Sequence, residues 1–472
     1  MNHIYITLVC TVATFASSAQ NWTVVGDTQA TTTEVSEFNM AINANEDICL
    51  AYVNEKGNVR ALARAWKDGK WDNFGTTTGM SASTVNQNQI QLAPDGRFFM
   101  LYRDIGLRNG AVVRVYNETL ESWDFYGAQS SGITGGYTDK IKLAVDNNSI
   151  PYIGLKVGQF SNTFNILAYD TVAKNYKVVI ESGPSGDVPG EYDMAFSPSN
   201  ELYIAYQDTT FTSERNPLQR NRLTIKKWTN GAWEFVGSPS ISEGQPKDIN
   251  LVFDSKGTPY VAYVNSSSTM PGWASAVRYY DGSDWKPVGP EYFRIGYATY
   301  LDLKVSPDDT LVIAYSAIEF GGAMAAYAFN GSEWQQVGAD KISEGKAVWN
   351  KIEFSPNGVL YAIYKDDVND GRATVQKYSG NLTSPSETNS IKVRKTPRFS
   401  LYPNPTRNIV HLSNLPVGPK QIRITDVYGK ITIETNTTIT EQQLSVSQLG
   451  SGIYFVTVSD EYGSQTVRFI KN

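Results

Sequence analysis

A tryptophan followed four positions later by glycine recurs along this chain, at Trp22, Trp71, Trp123, Trp233, Trp285 and Trp334. A degenerate copy stands at Tyr176. The gaps run 49, 52, 53, 57, 52 and 49 residues. That period exceeds the roughly 34 of helical-hairpin repeats and matches units of four short strands. Residues 248–289 show the unit: DINLVFD alternates, PYVAYV reads as a more buried strand, SAVRYYDG follows, and WKPVG closes it. Third strands end in an aromatic at Trp66, Tyr116, Tyr169, Trp228, Tyr280, Phe329 and Tyr378. Short NG or DG turns precede several closing strands, as in TNGAW and NGSEW.

The first three strands of the unit occur seven times, the last near 350–379, yet no tryptophan strand follows Gly380. The first copy, NWTVVG, has no unit in front of it. Pairing that orphan with the last unit would close a ring and remove the edges of an open array. The expectation is an all-β chain: a seven-bladed β-propeller whose N-terminal strand completes the last blade. The repeat departs from kelch, WD and sialidase patterns, so it implies a fold without a known chemistry.

Residues 1–19 read as a signal peptide, with an apolar run over Ile4–Ala16 and small residues before Gln20. No later run is long enough to span a membrane. Cys49 is then the only mature cysteine, which excludes an internal disulfide. Residues 21–380 carry 31 Lys and Arg against 41 Asp and Glu, an acidic body unsuited to nucleic acid.

A polar segment at 381–397 reads as a linker, and the repeat stops there. The last 75 residues, 398–472, read instead as short strands of a compact β-sandwich. Tyr402-Pro403-Asn404-Pro405, the hairpin from Asp426 through Gly429 and Lys430, and Leu449 followed by Gly452-Ile453-Tyr454 stand together there. With Lys471 near the end, this combination resembles the C-terminal sorting domain of the type IX secretion system of Bacteroidetes. The resemblance implies partners in a type IX translocon and a sorting protease, and a final location outside the cell or on its outer surface.

Candidate sites come from loops and from the first strands. Connections between second and third strands, and between successive units, are long and varied, and both emerge on one propeller face. Trp273, Tyr292, Arg294, Tyr297, Tyr300 and Trp349 lie there as candidate contacts for a sugar ring or another surface ligand. Packing of the loops is the plainer role for most of them. Aligning first strands on the residue before the first buried apolar position gives Asn39, Gln89, Lys140, Asp193, Asp248, Asp302 and Lys351. Asp193, Asp248 and Asp302 are expected to converge at the channel mouth, where they would hold calcium or be neutralised by Lys140 and Lys351. Capping of backbone N–H groups is the plainer alternative. No other cofactor is expected.

The only mature histidine, His411, lies in the tail, so histidine-dependent catalysis is excluded from the main body. The functional expectation is a secreted or cell-surface propeller that binds a glycan or another extracellular ligand. The alternatives are a polysaccharide-degrading enzyme using acidic or Tyr/Arg residues, and an adhesive protein that binds another protein.

Overall fold

The computed structural model describes residues 22–27, 29–55, 60–75, 79–127, 132–160, 163–185, 188–210, 221–266, 273–295, 298–338, 340–380, 382, 399–415, 420–426, 430–460 and 463–472. The proposed signal peptide and Tyr297 lie outside these residues, as does Gly429. The chain divides into two compact units, Met1–Ser384 and Pro385–Asn472.

The described residues of the first unit form seven antiparallel sheets with four-stranded paths. Their first strands are Val35–Ile42, Val85–Leu92, Thr138–Val145, Tyr192–Phe196, Gln245–Phe253, Ala298–Val305 and Ala347–Phe354. We number the sheets 1 to 7 in that order. In sheets 1 to 6 the strands lie side by side in chain order. Sheet 7 takes its fourth strand from the other end of the chain: Trp22–Val24 pairs with Arg372–Tyr378, Trp22 opposite Tyr378.

Second strands such as Leu202–Asp208 and Leu311–Ala317 are buried along their whole length. Both faces of each must therefore be covered, which explains their continuous apolar runs. The covering comes from neighbouring sheets. Phe38 and Leu50 of sheet 1 share a core with Tyr361 and Ile363 of sheet 7. Sheets 1 and 2 meet at Ala51, Val53, Ile90 and Met100. Equivalent cores join sheets 2–3, 3–4, 4–5, 5–6 and 6–7. Packing between consecutive sheets thus runs through a closed cycle.

The Trp-x-x-x-Gly signature acts at those seams. Each indole N–H donates to the carbonyl just before the glycine of the preceding sheet: Trp71 to Val25 at 2.9 Å, Trp123 to Phe74 at 2.8 Å, and Trp285 to Val236 at 2.6 Å. Trp334 reaches Val288 at 3.1 Å, and Trp233 reaches Ser182 at 3.2 Å. Trp22 donates to Val337 at 2.9 Å and so joins sheet 7 to sheet 6. The indole edge sits over the glycine. A Cβ on Gly75 or Gly338 would lie 2.7 Å from the ring above it, and both glycines have positive φ. Only glycine fits that approach.

In the second unit, two antiparallel sheets share one core. One is ordered Ser400–Tyr402, Ile409–Ser413, Gln442–Ser445; the other Ile431–Thr437, Lys420–Asp426, Gly452–Asp460, Gly463–Lys471. Val410, Leu412 and Leu444 of the first pack with Ile422, Ile424, Val456 and Phe469 of the second.

Candidate functional site

The seven first strands surround a cavity of about 910 Å³. Their register sets what faces it. In sheets 2, 3, 5, 6 and 7 the pairing of first and second strands slips at a bulge near the strand start. One residue of each bulge, namely Gln87, Lys140, Asp248, Tyr300 or Trp349, takes a left-handed φ of 49 to 57°. Such a bulge bends the strand and re-aims a side chain.

The bulges correct two members of the expected ring. Paired with equivalent second-strand positions are Asn39, Gln89, Lys142, Asp193, Asn250, Asp302 and Lys351. Lys140 and Asp248 instead stand two residues earlier, at the bulges of sheets 3 and 5. Lys140 turns its ammonium to the carbonyls of Pro189 and Gly190.

The three aspartates all line the cavity. Among the described residues, no group of three or more His, Cys, Asp or Glu is placed to hold a metal ion. Each carboxylate instead accepts a backbone N–H from the first strand of the next sheet. Asp193 accepts from Leu251 at 3.0 Å, Asp248 from Leu301 at 3.3 Å, and Asp302 from Ile352 at 2.8 Å. Neutral residues do the same elsewhere: Gln89 accepts from Leu143 N–H and donates to the Ile141 carbonyl. Adjacent first strands form no ladder with each other, so these side chains satisfy backbone groups along the axis.

Lysines stand against the carboxylates. Lys142 lies 3.4 Å from Asp193, Lys351 lies 3.5 Å from Asp302, and Lys304 lies 2.6 Å from Glu353. Burial would lower the Lys304 ammonium, but Glu353 and Asp302 hold it above the usual lysine range. At the mouth, Glu191 accepts the backbone N–H of Asp248. Burial, with the charge of Asp248 added, raises its carboxyl above the ordinary value. Lys142, Glu191, Asn250, Lys304 and Glu353 were not among the sequence candidates.

The aromatic candidates separate into two groups. Tyr292 packs on the core between sheets 4 and 5, and Trp273 on that between sheets 5 and 6. Arg294 pairs through its backbone with Ser275, and its guanidinium lies 6.0 Å from the Tyr315 ring. These three are held down by the scaffold. Tyr300 and Trp349 line the cavity instead, on the bulges of sheets 6 and 7. Their ring centroids are 5.3 Å apart with planes inclined by 39°, and Trp349 is 45% exposed.

In the second unit, the Asn404 amide brackets the final strand. It donates to the Arg468 carbonyl at 3.1 Å and accepts from Ile470 N–H at 2.9 Å. The peptides before Pro403 and Pro405 are cis. Tyr402 stacks on His411 with planes inclined by 4°. Asp426 accepts from Lys430 N–H. Tyr454 stacks on Phe469 and donates to the Gly450 carbonyl; Gly452 opens the same strand. The model of the secretion system C-terminal sorting domain matches residues 400–472. This segment is a type IX secretion sorting domain.

The sorting domain marks the chain for export to the cell surface or the extracellular space and for interaction with the type IX machinery. No helix among the described residues is long and apolar enough to cross a membrane. No curated protein matches the chain. Among solved structures it is similar to PorZ, an essential bacterial surface component of the type IX system of Porphyromonas gingivalis, at 16% identity and a TM-score of 0.44. The match covers 92% of this chain and 59% of PorZ, so the chain spans under two thirds of that protein. It is also similar to the β-propeller domain of the Trilobed protease from Pyrococcus furiosus, at 10% identity and TM-score 0.47, covering 75% of this chain and 100% of that one. An ulvan lyase matches at 9% identity and TM-score 0.48, covering 74% and 94% of the two chains. With scores below 0.5, none of the three transfers a site or an activity.

Proposed function

We propose that residues 20–380 form a seven-bladed β-propeller that binds an extracellular glycan at its axial mouth. A linker at 381–397 would join it to a small sorting β-sandwich at 398–472, and residues 1–19 would be removed on export. The seven-membered cycle of packed sheets supports the architecture. The Tyr300–Trp349 pair carries the binding reading. A large, partly exposed indole on a left-handed backbone serves packing poorly, whereas two inclined rings at a cavity mouth offer faces to a pyranose. Lys351 lines the same cavity with a partly exposed side chain whose ammonium can meet a hydroxyl.

The test is a glycan array probed with the secreted protein. Binding should fall by about tenfold in Trp349→Ala, as expected for one lost stacking contact. Arrays showing no saccharide dependent on Trp349 would reject the proposal. One observation favours a second reading, cleavage. Glu191, with its raised pKa, lies beside Asp248, and glycosidic hydrolysis needs a protonated acid near an ionised carboxylate. New reducing ends released from an array hit, and abolished in Glu191→Gln, would establish that reading.

A further inference from the structure

We infer that the axial mouth selects glycans without acidic substituents and excludes uronates and sulfated sugars. This rests on the glycan-binding reading above and adds the charge class of the ligand. Recognition of a carboxylate or sulfate needs a cation with an unspent charge, best an arginine fork or a lysine cluster. The cavity wall offers neither. No arginine lines it among the described residues, and its three lysines, Lys142, Lys304 and Lys351, each face a carboxylate within 3.5 Å.

Seven carboxylates line the cavity against those three lysines: Glu191, Asp193, Asp248, Asp254, Asp302, Asp309 and Glu353. The lining is therefore negative by four. Lys140 and Lys247 offset part of this from outside the lining: Lys247 lies 3.9 Å from Glu191, and the Lys140 charge also acts on it. Asp248 has no ion-pair partner within 4.0 Å among the described residues, and it lies beside Glu191 on the aromatic side of the cavity. A cleft with an excess of one sign concentrates that field. An anionic sugar stacked on Trp349 would thus face repulsion without a compensating pair. A neutral sugar meets no such repulsion.

The experiment uses the full secreted chain and six soluble polysaccharides: laminarin, xylan and galactomannan against alginate, polygalacturonate and heparin. We expect retention on at least one of the neutral three, lost in Trp349→Ala and unchanged at about 1 M salt, where charges are screened beyond about 3 Å. Asp248→Asn combined with Glu191→Gln should raise binding to polygalacturonate relative to the retained neutral polysaccharide, since it weakens the repulsion. Trp349-dependent binding of an acidic polysaccharide by the unmodified protein would overturn the exclusion while leaving a glycan site standing. Trp349-independent binding throughout would instead overturn the glycan site itself.

Discussion

Tyr176 occupies the place that tryptophan holds in the other six seams, and the difference is energetic as well as visual. An indole N–H reaches the carbonyl of the preceding sheet; the Tyr176 hydroxyl is buried with no hydrogen-bond partner among the described residues. Burial pushes its phenol well above the ordinary tyrosine value. An unsatisfied buried hydroxyl costs about 1–3 kcal/mol. Tyr176→Phe should therefore match or exceed the parent in thermal unfolding, whereas Trp285→Phe, which deletes a 2.6 Å bond, should melt lower. A clear loss of stability in Tyr176→Phe would mean that the hydroxyl is satisfied. Glu46 shows the opposite case. It accepts from Ser355 and Asn357 with one oxygen and from Tyr361 with the other, tying sheet 1 to sheet 7. Burial alone would raise its carboxyl, but these bonds hold it below 4.5. A depressed folded value means its stabilisation is present above the unfolded value and is lost as pH falls through the folded one. Melting curves from about pH 6 to 3 should fall more steeply for the parent than for Glu46→Gln. Parallel curves would remove Glu46 from the acid response.

The closing strand is the element on which the ring depends. Three residues, Trp22–Val24, pair with Arg372–Tyr378, and the Trp22 indole is 4% exposed between sheets 6 and 7. Thr31 and Val35 add backbone and hydroxyl contacts to the last sheet. Trp22→Ala should cost about 3–5 kcal/mol, the range for truncating a buried tryptophan. An unchanged unfolding midpoint would argue that this strand does not hold the cycle together. The strand was legible because its motif was complete and only its neighbours were missing. The bulges were not legible. Alignment on the first apolar residue placed Lys140 and Asp248 in the ring, because a bulged residue carries no compositional mark beyond tolerance of left-handed φ. Counting backward would have succeeded. The turns after the first strands begin at Asn43, Ala93, Asp146, Ser197, Asp254, Ser306 and Ser355, each donating its N–H four residues onward. Four residues before each stands Asn39, Gln89, Lys142, Asp193, Asn250, Asp302 or Lys351. Register is set from the tight turn, where pairing is regular, and lost toward the irregular end. The loop aromatics were harder still. Tyr292 and Trp273 share composition with Tyr300 and Trp349, and only tertiary packing separates a ring that is buried from one that lines a cavity.

At the scale of the whole molecule, two units serve two purposes, and each has its own buried core. Among the described residues, the first unit's seven inter-sheet cores draw on residues up to Leu382, and the Trp22 closure is internal to it. Its stability should therefore be independent of the tail. The sorting domain in turn gathers its signature around its last strand. Asn404 clasps Arg468 and Ile470, and Thr406 N–H donates to the Ile470 carbonyl while Asn472 N–H donates back to Thr406. The segment that follows the first strand is thus bonded to the last strand, so a readout of the folded tail can be separated from a readout of its sequence. Two deletions separate these roles. Removing 400–472 should leave the unfolding midpoint of the remaining chain within about 2 °C and abolish its appearance outside the cell, with the protein retained in the periplasm. Removing only the terminal strand, 463–472, should stop export equally well, because Asn404 and Thr406 lose their partners and Phe469 leaves the core. Export of the shorter deletion at parental levels, measured by fractionation and surface immunodetection, would show that the machinery reads the sequence of the tail and not its fold.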